Sequence, residues 1–257
     1  MGDLYVPIGS YIFTSRLSFF QAPPAATEFA VVLSIQRLSH KYNVTWLFQR
    51  AVEHMTITHP TTLDGWDALQ VLPPSGNFMQ GTDVECCMAV VVMARELRLD
   101  WMLPRAFYRL ARHRTEALAI LQSDLALADK ASLFNGVRLL DTEWRRKALA
   151  FLSEPLRIAG CTADKPSRCS DVRVAWKKTV EKSDDGRALK GMPLDFFNTA
   201  NWSAWMKSGL VCQQCAKEMT RGKRAGHEAF WAQLPEIFGL GTWDTLELMK
   251  NETLKKE

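Results

Sequence analysis

No stretch of the 257-residue sequence approaches the ~20 consecutive apolar residues that a helix needs to cross a bilayer. The longest apolar run, residues 86–94, is closed by Arg95 and Glu96. The start of the chain has neither a basic stretch leading into an apolar one nor a small-residue cleavage site. The expected location is therefore intracellular, cytoplasmic or nuclear, without secretion or a membrane. Cysteine is sparse. Six are too few for a disulfide scaffold in a chain of this size, and in a reducing compartment they serve as thiols or metal ligands. An excess of one charge is missing too, since 32 basic and 28 acidic residues leave +4. So small a surplus points to nucleic acid only where it is clustered. The densest basic stretch, Arg221, Lys223 and Arg224, is short and sits beside acids, as a solvated helix face does.

Signals of catalysis are equally thin. Neither Gly-x-x-x-x-Gly-Lys nor Gly-x-Gly-x-x-Gly occurs, which removes the common phosphate-cradling loops. The histidines His40, His54, His59, His113 and His227 are scattered on helical segments or at their ends, none in a strained turn beside a serine or cysteine nucleophile. Asp184 and Asp185 fall in a polar stretch, whereas a general acid needs a positioned, partly desolvated carboxylate. The residues predict a protein without enzymatic activity.

Helical periodicity is what the sequence has in quantity. Val31, Ile35, Leu38 and Tyr42 share one face of a helix beginning near Thr27. Asn43 is placed to cap a second helix, with Leu47, Phe48, Ala51, Val52 and Met55 inward and His59-Pro60 ending it. Thr62 starts a short third helix. A proline-rich loop follows over residues 71–81, and Asp83 caps a helix burying Cys87, Val90, Val91, Ala94 and Leu97. Pro104 suits the first turn of the next helix. A long helix is expected from Leu133 to Phe151, stopping before Pro155. Residues 158–170 read as a cysteine-bearing loop, 171–182 as a helix, and 181–193 as a polar linker. Helices resume over 201–208, 212–234 and 243–257. No segment alternates as a strand does. The fold class is all-α, a helical bundle with a smaller, cysteine-containing helical module at the C-terminal end.

The one metal-like constellation is Cys161 and Cys169, seven residues between them, followed by Cys212-x2-Cys215. Two cysteines three apart at a helix start can aim both sulfurs at one ion, and the helix N-terminus favours thiolate. A four-sulfur zinc site requires the first pair to fold back onto the second, and such a closed site is structural. The alternative is plain packing of small thiols, as expected for Cys86 and Cys87. Nine tryptophans spread along the chain predict large buried rings, with one or two left as exposed contact sites.

Several stretches are familiar as an ordered set: residues 35–42 (IQRLSHKY), 60–67 (PTTLDGWD), 101–104 (WMLP), 106–110 (AFYRL), Cys212-x2-Cys215, 234–240 (LPEIFGL) and Trp243. The set resembles a fungal family of BTB/POZ domain-containing proteins over roughly residues 27–250. The resemblance implies residues 1–60 as the remnant of the C-terminal helices of a BTB-like domain, 61–155 as a helical bundle, and 156–257 as the module with the cysteine pairs. Most of the strand-rich BTB core, which family members use to dimerise and to reach cullin-type scaffolds, has no counterpart here. The expected function is a non-catalytic protein–protein adaptor or scaffold. Self-association or a partner chain is expected where first-helix residues such as Phe29 and Val32 lack their usual cover. The competing expectation is a nuclear regulator touching nucleic acid through a zinc-stabilised C-terminal module and Arg221, Lys223 and Arg224.

Overall fold

The computed structural model describes residues 20–23, 25, 27–71, 84–113, 116–182, 192–195 and 199–255. The segment before residue 20, the proline-rich loop with its Asp83 cap, and linker residues 183–191 with Asp184 and Asp185 lie outside the described residues. Among the described residues there is no strand, and the all-α expectation holds.

The chain divides into two compact units, Met1–Met102 with Glu247–Glu257, and Leu103–Leu246. These limits differ from the expected boundaries at 60 and 155, and packing explains why. In the first unit α1 (Phe29–Lys41), α2 (Thr45–Thr58), α3 (Leu63–Val71) and α4 (Val84–Leu97) belong together. Helix α1 packs against both α2 and α4, and Arg37 pairs with Glu96 at 2.8 Å. Residues after 60 therefore share a core with those before it.

Two details of the α1–α2 hairpin depart from the periodicity. The buried face of α1 carries Val32, Leu33, Gln36 and Ser39, while Leu38 and Tyr42 are left outside. Helical spacing fits both stripes, and the face that meets Ala51, Val52 and Met55 of α2 is the one that wins. Asn43 does not cap α2. It takes a left-handed φ of 53°, which short polar side chains tolerate, and turns the chain so that Val44 N–H reaches the Ser39 carbonyl at 2.8 Å. Thr62 does start α3, its Oγ1 accepting from Gly65 N–H at 3.2 Å. The ends behave as proline demands: His59, before Pro60, has left helical geometry at φ −123°, ψ 68°.

The second unit contains α5 (Leu103–Leu110), α6 (Ala117–Gln122), α7 (Leu127–Leu139), α8 (Arg145–Ala148), α9 (Pro166–Lys182), α10 (Thr199–Lys207) and α11 (Gln213–Ile237). The last helix, α12 (Trp243–Lys255), starts in this unit and ends in the first. Helix α11 packs on α5, α7 and α8, which draws residues 103–155 into the C-terminal unit. The long helix expected from Leu133 is interrupted by a π-turn over Leu140–Trp144 and a 3-10 turn over Ala150–Leu152. Eight residues of regular α-helix place Leu140 and Ala148 about 80° apart. The wider π-turn absorbs that offset, and both side chains are buried.

Part of the expected linker is also structured. Met192, Pro193 and Leu194 are buried, and Leu194 N–H donates to the Tyr108 hydroxyl at 3.0 Å. Burial pushes the Tyr108 hydroxyl pKa well up, so this oxygen stays protonated. Helix α10 stops at Gly209, whose φ of 67° is the expected left-handed cap.

Helix α7 approaches the end of α11 closely at Gly136, where a Cβ would overlap the Phe238 ring. Phe238 is fully buried and packs on Phe107, ring centroids 5.5 Å apart. Gly136→Ala should therefore destabilise the protein by about 1–3 kcal/mol despite alanine's higher helix propensity. Thermal unfolding of the variant checks this, and an unchanged or raised Tm would contradict the packing.

Candidate metal centre

Four sulfurs meet in the second unit. Cys161 stands in a turn whose N–H bonds back to the Ile158 carbonyl at 3.2 Å, made possible by Gly160 at φ 74°. Cys169 is not in a loop, as its sequence context suggested, but in the first turn of α9, because Pro166 opens the helix earlier than expected. Cys212 is the N-cap of α11, and Cys215 is in that helix's first turn. The ligand atoms of these four cysteines lie within 4.8 Å of one another, and they can hold a metal ion. Cys161 and Cys212 Sγ are 3.7 Å apart, so they are thiols in contact and not a disulfide.

The surroundings sort the thiols. Cys169 and Cys215 are buried, whereas Cys161 and Cys212 are half-buried. Cys212 N–H donates to Cys169 Sγ at 3.3 Å. Burial raises the Cys169 and Cys215 pKa values, and in Cys215 the neighbouring thiols Cys212 and Cys161 push the same way. Burial acts to raise Cys212 as well, but donors from the Cys215 and Thr162 backbones and the Thr162 side chain outweigh it, and the thiol is lowered to about 6. Two helix N-termini point at the cluster, each adding partial positive charge that favours bound thiolate. A shared cation converts the whole set to thiolates, because metal binding displaces their protons.

The packing is built to present this set. Ala148, Leu149, Leu152, Trp202, Val211 and Met219 are buried with Cys169 and Cys215 in one apolar cluster. Trp205 stacks on Trp176 at 4.6 Å beside it. Sequence reasoning brought the four cysteines together correctly but missed Arg173, which is 1% exposed and lines the same cavity as Cys161, Cys169 and Cys215. Its position four residues after Cys169, on the same helical face, was the available signal.

The other sequence candidates stay apart from the cluster. Arg221 pairs with Glu218 and Arg224 with Glu228, while Lys223 lies over the Trp202 ring. His54 and His59, one within a helix and one at its end, are both buried. His54 Nε2 bonds to the Gln21 carbonyl and His59 Nδ1 to Thr58, at 2.8 and 3.0 Å. His40 packs on Phe48, and His113 meets Glu116. His227 is pushed down to about 4 by burial, with Lys223 and Arg224 acting in the same direction, and is neutral at pH 7. Among the described residues no helix is long and apolar enough to cross a membrane.

The fold and the cluster thus define an all-α chain with a metal-competent four-cysteine centre. Comparison with family models, with curated proteins and with solved structures gives no match for it.

Replacing either buried cysteine by serine leaves three sulfurs and a poor fourth donor. Cys169→Ser and Cys215→Ser should each lose bound metal, measured by elemental analysis of protein purified without chelator, whereas Cys86→Ser in the other unit should retain it. Equal metal content in all three would contradict the assignment.

Proposed function

We propose that the protein is a non-catalytic adaptor or scaffold whose second unit is braced by a structural zinc ion and whose first unit offers a protein-binding face. The observation that carries the binding role is on α1 and α2. Leu38 is 54% exposed, Tyr42 66% and Trp46 46%, an exposure that large apolar side chains seldom keep together without purpose. Leu38 and Tyr42 lie one turn apart on the same face, and Trp46 opens the next helix. Lys41 and Arg50 stand over the Tyr42 and Trp46 rings at 5.5 Å, which fixes the rings while leaving them available. Exposed tryptophan and tyrosine are the side chains most often found as binding anchors. Phe29 and Val32, the residues expected to lack cover, are not this face, since Val32 is completely buried.

A four-sulfur donor set suits zinc, and a single zinc ion is the occupant proposed here. Four sulfurs bonded to zinc at ~2.3 Å in a tetrahedron stand about 3.8 Å apart. Cys161 and Cys212 are separated by 3.7 Å, close to that spacing, within a set whose ligand atoms all lie within 4.8 Å of one another. Soft thiolates without histidine or carboxylate select zinc or iron from the available metals. A set of four leaves no coordination position for substrate, which supports a bracing role. The resemblance of the ordered motifs to those of fungal BTB/POZ proteins supports the adaptor reading, as the helical region after such a domain positions binding modules. The pairing of Arg221 and Arg224 with acids gives the nucleic-acid reading no comparable support.

Sedimentation velocity of the intact, zinc-loaded chain over a range of micromolar concentrations tests the binding face. The expected outcome is a mass that rises with concentration, and a monomer at all concentrations for Leu38→Glu/Trp46→Glu with unchanged circular dichroism. A wild type that stays a monodisperse monomer throughout would count against self-association through this face.

A further inference from the structure

Burying a guanidinium without an opposite charge is costly, and the cost is met by pairing or by hydrogen bonds. Arg173 satisfies only part of this requirement. Its Nη2 donates to the Pro155 and Leu156 carbonyls at 2.7 and 2.8 Å, while Nε and Nη1 are buried with no hydrogen-bond partner. Among the described residues no carboxylate reaches it. A cavity of about 260 Å³ lies beside it, lined also by Cys161, Cys169, Cys215, Ser170 and the exposed Arg157, and by no acid. Glu154 and Glu218 line a different cavity that Arg173 also borders, and Glu218 is engaged by Arg221.

The missing charge is supplied if the cysteines are loaded. Four thiolates around one divalent ion carry two net negative charges. Arg173 stands one helical turn from Cys169 on the same face, and both residues line the same cavity as Cys161 and Cys215.

We infer that Arg173 is the counter-ion of the loaded four-cysteine centre, a positioning and charge-balancing residue rather than a metal ligand. The inference rests on the zinc reading of the cluster. It gives Arg173 two tasks. Nη2 ties down the loop over residues 155–156, which leads into Cys161, and Nε with Nη1 faces the thiolates. The buried cation and the buried dianionic centre are then stable only together, so zinc binding and closure of the loop are coupled. Arg157, exposed at the cavity mouth, adds a weaker, water-screened charge of the same sign.

The test separates charge from hydrogen bonding. Zinc affinity of the intact chain is measured by competition with a chromophoric chelator for wild type, Arg173→Lys and Arg173→Gln. Glutamine keeps an amide donor without the charge but is two bonds shorter than Nη2, so the lysine variant, which keeps the charge, is the arm that isolates it. The inference expects wild type to bind one equivalent and Arg173→Gln to bind about 10- to 100-fold more weakly. It expects Arg173→Lys to recover most of that loss. Equal affinities in all three, or equal losses in both variants, would overturn the charge role while leaving the zinc site intact. A wild type that binds no zinc would overturn the zinc reading and this inference with it. If Arg173→Gln fails to fold, adding Cys161→His, which removes one negative charge from the centre, should restore zinc-dependent folding. Absence of rescue would count against charge balance.

Discussion

The convergence of two helix starts and one loop on four sulfurs is the constraint around which the second unit is organised. Helix α9 brings Cys169 in its first turn, α11 brings Cys212 and Cys215, and the turn at Gly160 brings Cys161. These segments are distant in sequence, Cys212 lying 51 positions after Cys161. Holding them together costs chain entropy that local helix formation does not repay. The apolar cluster around Trp202, Leu152 and Met219 offsets part of that cost. A metal ion bound only in the folded arrangement adds its binding energy to folding directly.

The surroundings of the centre divide the four thiols. Donors from Cys215 and Thr162 lower one half-buried thiol, while burial keeps Cys169 and Cys215 protonated as long as no cation is shared. Arg173 is buried beside them with part of its guanidinium unsatisfied. A neutral four-thiol cluster gives that cation nothing to face, and a loaded one does. The first unit follows a different logic, in which Val32, Ala51, Val52 and Met55 are buried and Leu38, Tyr42 and Trp46 remain exposed. The proposed bracing and binding roles thus fall on separate parts of the chain.

Most helices were legible in the sequence because caps and breakers are local. Thr62, Pro60, Pro104 and Gly209 each act within a few residues of themselves. The cysteine set was legible for the same reason in its Cys212-x2-Cys215 half. Three features were not. The inward face of α1 depends on its partner, since Val31–Ile35–Leu38–Tyr42 and Val32–Leu33–Gln36–Ser39 are both one-sided stripes. The π-turn at Leu140 answers a packing demand that helical spacing conceals. The grouping of residues 61–102 with the first unit, and of 103–155 with the last helices, arises from long-range contacts of α1 and α11 that no local pattern announces. Arg173 offered only its spacing of four from Cys169, a signal that carries weight once its burial is seen.

X-ray absorption at the zinc edge, on protein purified without chelator, tests the central claim most directly. The account predicts a single shell of four sulfurs at about 2.3 Å, with no nitrogen or oxygen neighbour. A mixed shell containing light atoms, or protein that carries no zinc at all, would contradict it.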